Sequence, residues 1–87
     1  MYLYLISQNT VDTGEYYDSA VVVAKDERDA RQIVPGEYDT FADFERDIWL
    51  GFADGWAPKP SLVLVQLLGR ADASLPRGEV CSSWNMV

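Results

Sequence analysis

Two short segments of this sequence are apolar on both of the faces that a β-strand presents. Residues 2–7 read Tyr-Leu-Tyr-Leu-Ile-Ser, and residues 19–24 read Ser-Ala-Val-Val-Val-Ala. β-Branched and aromatic side chains at this density are typical of strands in the middle of a covered sheet. A chain of 87 residues therefore has to build one small core around these strands, and both sides of its sheet need cover.

A helix is predicted after the second of these strands. Asp26 is a favourable N-cap residue, and Glu27 and Arg31 have the i,i+4 spacing of a stabilising ion pair. The pair Pro35-Gly36 ends the helix, because proline cannot continue it and glycine commonly follows it. The buried face of this helix is expected to consist of Ala30, Ile33 and Val34.

Two more strands are predicted over residues 61–68 and 79–84, and the segment 37–60 before them fits either a short helix or an irregular insert. The expected fold is α+β, with a four-stranded, mainly antiparallel sheet and one main helix on one face. Its order is β-β-α-[short helix or irregular insert]-β-β, in a single domain over residues 1–87. The first two strands are expected to pair as a hairpin, and the last two likewise. Because one helix covers one face, the aromatic segment 38–56 or a second subunit has to cover the other.

Negative charge is the main constraint on partners. The net charge is −7, and residues 12–54 hold twelve acids against four bases. Such a surface repels the phosphates of nucleic acids and anionic membranes, whereas it attracts a basic protein and steers its approach. We therefore expect a basic protein partner, with no direct binding to nucleic acid and none to a membrane.

The sequence offers little for catalysis, because it contains no histidine. Its only cysteine, Cys81, lies in an apolar strand without a neighbouring base, so we expect it to be buried and unreactive. The tripeptide Asp12-Thr13-Gly14 matches that of retroviral-type aspartic proteases, but polar residues precede it and a turn is the better interpretation. We expect no enzyme, no catalytic residue, no metal and no cofactor.

The cellular compartment is predicted from two features. A single cysteine allows no internal disulfide, which favours a reducing compartment. The apolar start at residues 1–6 has no basic flank and is not expected to be a signal peptide. A cytoplasmic location follows as the expectation.

Acidic and aromatic side chains are interleaved in residues 37–49. One interpretation is a solvated acidic face that lies behind an aromatic core face. The other is a docking surface whose aromatic residues anchor a basic partner. For this second interpretation, the predicted partner-binding residues are Tyr38, Asp39, Asp43, Asp47 and Trp49.

Five segments together resemble a group of small phage and prophage proteins of unassigned function. They read YLYLISQ at 2–8, YDSAVVVA at 17–24, ARQIVP at 30–35, GWAP at 55–58 and GEVCSSWN at 78–85. The resemblance covers most of the chain. The sequence departs from the group in a longer, more aromatic stretch between Gly36 and Trp56, and in lacking a histidine before Pro35.

The resemblance implies an acidic phage-type inhibitor of host machinery, since some phage proteins present carboxylates where a nucleic-acid-binding protein expects phosphates. Its target would be a basic, nucleic-acid-handling host protein in the host cytoplasm, such as a CRISPR effector or another defence protein. The alternative is a self-associating structural or assembly protein of phage origin, without an inhibitory role. A homodimer is compatible with both.

Overall fold

The structure is a computed structural model, and it describes residues 1–12, 14–36 and 55–86. In chain order these residues form β1 (Tyr2–Ser7), β2 (Glu15–Ala24), a helix α1 (Glu27–Ala30), a 3₁₀ turn (Pro60–Leu62), β3 (Leu64–Arg70) and β4 (Gly78–Met86). Among the described residues, no helix is both long enough and apolar enough to cross a membrane.

The four strands form one antiparallel sheet in the order β3-β1-β2-β4. The predicted sheet and the β1–β2 hairpin are confirmed. The predicted pairing of the last two strands is wrong, because β3 and β4 lie at opposite edges of the sheet. The two strands with apolar residues on both faces occupy the middle, where both faces can be covered, and this leaves only edge positions for β3 and β4.

Helical structure is shorter than predicted. Asp26 caps α1 as expected, since its carboxylate accepts the N–H of Asp29 at 2.7 Å, but α1 has only four residues. Beyond it, Ile33 donates its N–H to the carbonyl of Ala30, a bond of the tighter i→i+3 type that closes a turn. The fold is thus a small, sheet-dominated domain whose one described helix is a single turn.

The core lies on the face of the sheet that carries α1, and we call this the helix face. The antiparallel register places Tyr4 beside Val22 and Ile6 beside Ala20 on this face. One cluster joins these residues to Ala24, Ala30, Ile33, Val34, Trp56, Ala57 and Val63. The predicted buried stripe of Ala30, Ile33 and Val34 is therefore confirmed, although two of its members lie beyond α1.

The opposite face, which we call the open face, is less well covered. Strand alternation places on it the side chains of Leu3, Leu5, Ser7, Ser19, Val21, Leu64, Gln66, Cys81 and Ser83. These side chains are half-buried or exposed. Val23, which pairs with Leu3 on the same face, is the exception and is fully buried. The segment 38–56 or a second subunit was expected to cover this face. Trp56, at the end of that segment, packs on the helix face instead, and residues 38–54 lie outside the described residues.

Cys81 was expected to be buried, and this is wrong. It is exposed, because β4 is an edge strand and Cys81 pairs with Val21 on the open face.

A buried glutamine fixes the connection between β1 and β2. Gln8 is 6% exposed, and its Nε2 donates to the carbonyls of Val11 and Tyr17, both at 2.8 Å. Its Oε1 accepts the N–H groups of Thr10 and Val11, also at 2.8 Å. The side-chain amide therefore uses its full hydrogen-bonding capacity, and it holds the loop against the start of β2.

Candidate functional site

The predicted partner-binding residues Tyr38, Asp39, Asp43, Asp47 and Trp49 lie outside the described residues. We call the segment that contains them, residues 37–54, the acidic segment. The structure describes the residues that flank it, Gly36 and Gly55.

Both flanking glycines lie against the same residue of β2. The carbonyl of Gly55 accepts the N–H of Tyr17 at 2.8 Å. A Cβ atom on Gly36 would lie 3.3 Å from the hydroxyl oxygen of Tyr17. The chain therefore leaves the described body and returns to it beside one tyrosine. We call Gly36, Gly55 and Tyr17 the Tyr17 junction.

The junction depends on glycine at position 55. Gly55 has a φ of +100°, and a Cβ there would lie 2.7 Å from the carbonyl oxygen of Glu15 and 3.3 Å from Cα of Tyr16. No side chain fits between these backbone atoms. The next residue, Trp56, is 2% exposed and part of the core, so this end of the segment is fixed to β2.

The other flank is tied to the edge of the sheet. The N–H of Gly36 donates to Oε1 of Glu79 at 3.1 Å, which links the end of the α1 region to β4. The sequence gives one signal for this arrangement, namely an acidic segment bounded on each side by glycine. It gives no indication that Tyr17 and Glu79 are the contacts.

The negative charge is unevenly divided between the described ranges and the acidic segment. The described ranges hold eight acids and six bases, a net charge of −2, and residues 37–54 hold six acids and one base, a net charge of −5. Within the described part, Glu27 pairs with Arg31 at 2.7 Å, as the helix spacing predicts, and Asp29 pairs with Arg77 at 2.9 Å. Most of the chain's excess charge is therefore in the acidic segment.

Arg77 lies in the loop between β3 and β4, and it binds this loop to α1. Its Nε donates to both carboxylate oxygens of Asp29, at 2.9 and 3.1 Å. These hydrogen bonds hold the pKa of Asp29 below its usual range, although partial burial opposes them, and the N–H of Lys25 adds a further bond to the carboxylate.

Replacing Arg77 with glutamine is expected to lower the free energy of unfolding by about 0.5–1 kcal/mol at pH 7. Because the folded-state pKa of Asp29 is depressed, this stabilisation is present above its unfolded value of about 3.9 and is lost as the pH falls through the folded value. Urea denaturation at pH 7 and at about pH 2 measures the difference. Arg28→Gln, the same charge change at an exposed position, is the control. A difference between wild type and Arg77→Gln that persists unchanged at the lower pH would contradict the role of Asp29.

A second polar group lies on the open face around Asp18. Its Oδ1 accepts the hydroxyl of Ser19 at 3.1 Å. Partial burial raises the pKa of Asp18, but hydrogen bonding to the hydroxyls of Ser83 and Ser19 outweighs it, so the pKa of the carboxyl group lies below its usual value. A carboxylate of low pKa is a weak general base at neutral pH.

The described residues include two concave surfaces. A cleft of about 490 Å³ beside α1 is lined by Lys25, Asp26, Arg28, Asp29 and Gln32. A groove of about 290 Å³ at the β3 edge is lined by Leu5, Ser7, Leu64, Val65 and Gln66. The first lacks the apolar walls of a small-molecule site, and in the described ranges no group of three or more Cys, Asp or Glu residues could hold a metal ion.

Comparison of the chain with protein-family models, with curated proteins and with solved structures found no match.

Proposed function

We propose that this protein is a non-enzymatic binding protein that inhibits a basic, nucleic-acid-handling host protein through its acidic segment. The observation that carries the proposal is the concentration of charge. Residues 37–54 hold a net charge of −5, whereas the rest of the chain holds −2. The flanks of this segment meet at the Tyr17 junction.

The charge provides a mechanism of inhibition. Proteins that bind nucleic acids place lysine and arginine side chains along the path of the phosphates. Closely spaced carboxylates compete for the same cations, and the attraction increases the rate of association. On this proposal, Asp39, Asp43 and Asp47 take the place of phosphates, and Tyr38 and Trp49 supply apolar anchors at the contact.

The resemblance to small phage and prophage proteins supports an inhibitor rather than a housekeeping protein, and a CRISPR effector is the target we propose to test. The self-associating assembly protein is the second candidate. It is favoured by large apolar side chains exposed on both edge strands, namely Leu64, Leu67, Leu68, Val80 and Trp84. The inhibitor needs the acidic segment, whereas the assembly protein needs the sheet edges.

The test is DNA cleavage by a panel of purified CRISPR effector complexes with increasing amounts of this protein. We expect inhibition of at least one effector, and an inhibitory concentration that rises about tenfold or more between roughly 50 and 300 mM KCl, since the contact is ionic. The combined variant Asp39→Asn/Asp43→Asn/Asp47→Asn is expected to be at least about tenfold weaker, because three carboxylates at the contact are lost.

The matched control removes the same amount of charge from the described body. Asp12→Asn/Glu27→Gln/Asp72→Asn changes three exposed acids that are not part of the Tyr17 junction, and it is expected to inhibit within about twofold of wild type, since distant charges are screened. The proposal is overturned if no effector in the panel is inhibited, or if both triple variants weaken inhibition equally.

A further inference from the structure

β3 is an edge strand with an exposed apolar surface. In the described part of the sheet it pairs with β1 on one side only. Leu64, Leu67 and Leu68 are 54%, 59% and 49% exposed. Side chains of this size on a strand with unpaired backbone groups favour the addition of another strand.

The two edges of the sheet differ in how well they are protected. Natural edge strands are commonly blunted by internal charges, proline or bulges. The pairing of β4 with β2 is irregular at two places, and β4 carries Glu79. β3 has one irregularity, between the partners of Leu3 and Tyr4 towards its carboxyl end, and its only charged residue is the terminal Arg70. β3 is therefore the edge that is more open to pairing.

Charge favours a second copy of this chain over a basic partner at this edge. Residues 55–71 contain two bases and no acid, so a basic protein finds no carboxylate there. The net charge of −7 opposes contact between two copies at most other surfaces. At β3, two copies meet without bringing carboxylates together.

We propose that β3 pairs with β3 of a second copy, antiparallel about a two-fold axis at Gln66, to form one continuous eight-stranded sheet. In this register Leu64 lies opposite the partner's Leu68, and Val65 lies opposite the partner's Leu67. The two pairs next to the axis on either side are then apolar. The two Arg70 side chains lie at opposite ends, roughly 27 Å apart at about 3.4 Å per residue, which exceeds the Debye length at physiological salt.

The groove at this edge fits the same partner. It has a volume of about 290 Å³ and is lined by Leu5, Ser7, Leu64, Val65 and Gln66. The partner's Leu68 would lie directly beside Leu64 at the mouth of this groove. One strand pair and a few leucines make an interface at the low end of the known range, so the dissociation constant is expected to be on the order of 10 µM.

Sedimentation velocity between about 1 and 200 µM measures this equilibrium. We expect a monomer–dimer transition that strengthens as salt rises, because salt screens the repulsion between the two acidic copies. Leu64→Lys/Leu68→Lys is expected to weaken the dimer by at least about tenfold, because it places like charges in the pair. The matched control adds two lysines to β4, as Val80→Lys/Ser82→Lys at two exposed positions, and it is expected to dimerise like wild type.

A cross-link tests the register directly, without depending on the lysine variant. In a Cys81→Ser background, Gln66→Cys is expected to form a disulfide dimer under mild oxidation, because position 66 lies opposite itself. Leu64→Cys in the same background is expected to remain uncross-linked, because the two copies of position 64 are roughly 14 Å apart, beyond the Cα separation of about 7 Å that a disulfide spans.

A wild-type chain that remains monomeric to the highest concentration overturns the proposal. So does dissociation by Val80→Lys/Ser82→Lys with the β3 variant unaffected, or cross-linking of Leu64→Cys in place of Gln66→Cys. The proposed function does not depend on these results. It is tested by variants of the acidic segment, and inhibition is expected to weaken as salt rises. The dimer is tested by variants of β3 and is expected to strengthen as salt rises.

Discussion

Replacing Gly55 with alanine is expected to lower the free energy of unfolding by about 3–4 kcal/mol, a large share of the stability of a small domain. The added Cβ would lie 2.7 Å from the carbonyl oxygen of Glu15. That atom belongs to the backbone of β2 and cannot move aside as a flexible side chain could. The φ of +100° adds strain for any residue with a Cβ. Urea denaturation monitored by tryptophan fluorescence measures the change.

Gly14→Ala is the matched control for this experiment. Gly14 also has a positive φ, of +75°, but nothing lies within 4 Å of its Cβ position. Its replacement should therefore show only the backbone cost, about 1–2 kcal/mol. If the two variants lose the same stability, Gly55 does not approach β2 as closely as described. We also expect Gly55→Ala to weaken partner binding, since it disrupts the Tyr17 junction.

Replacing Gln8 with leucine is expected to lower the free energy of unfolding by about 3 kcal/mol, because each buried polar group left without a partner costs about 1–3 kcal/mol. The amide of Gln8 makes four hydrogen bonds, to two carbonyls and two N–H groups. Leucine has a similar size and satisfies none of them. Thermal and urea denaturation both measure the loss.

Two further variants separate hydrogen bonding from side-chain volume. Gln8→Glu retains the acceptor for the N–H groups but places a carboxylate against the carbonyls of Val11 and Tyr17, so we expect it to be destabilised at pH 7. Gln32→Leu changes an exposed glutamine and should alter stability by less than about 0.5 kcal/mol. If Gln8→Leu is as stable as wild type, the hydrogen bonds of Gln8 do not fix the β1–β2 connection.

Local patterns in the sequence predict which segments form the centre of the sheet. β1 spans Tyr2–Ser7 as predicted. A short segment that is apolar on both of its alternating faces is best buried as a central strand of a sheet. The cap at Asp26 is also predicted correctly, since capping depends on residues within one turn. These features need only short-range information.

Features that depend on distant pairing were not predicted. β2 begins at Glu15 rather than Ser19 because Tyr16 and Tyr17 pair with Asn85 and Trp84, far along the chain. The opposite positions of β3 and β4, and the resulting exposure of Cys81, have the same origin. β3 begins at Leu64, later than predicted, because the preceding residues form a 3₁₀ turn.

Part of the candidate site could likewise be predicted from the sequence, and part could not. The charge of the acidic segment can be read from the sequence, because it depends only on composition. The Tyr17 junction could not be predicted, because it joins one residue of β2 to two glycines that are 19 positions apart in the chain. Local patterns carry no information about such contacts. The sequence gives no sign that Gln8 is buried, and only the fold shows it.

The convergence of Gly36 and Gly55 on one tyrosine has a consequence for how this protein can evolve. When both ends of a segment are anchored at one place, lengthening it adds only a logarithmic loop-closure penalty, about 0.6 kcal/mol for each doubling. On this loop-closure argument alone, a longer segment between the two glycines costs the described strands little stability. On the proposed function, a lineage whose target changes could alter its contact residues there and inherit the same scaffold.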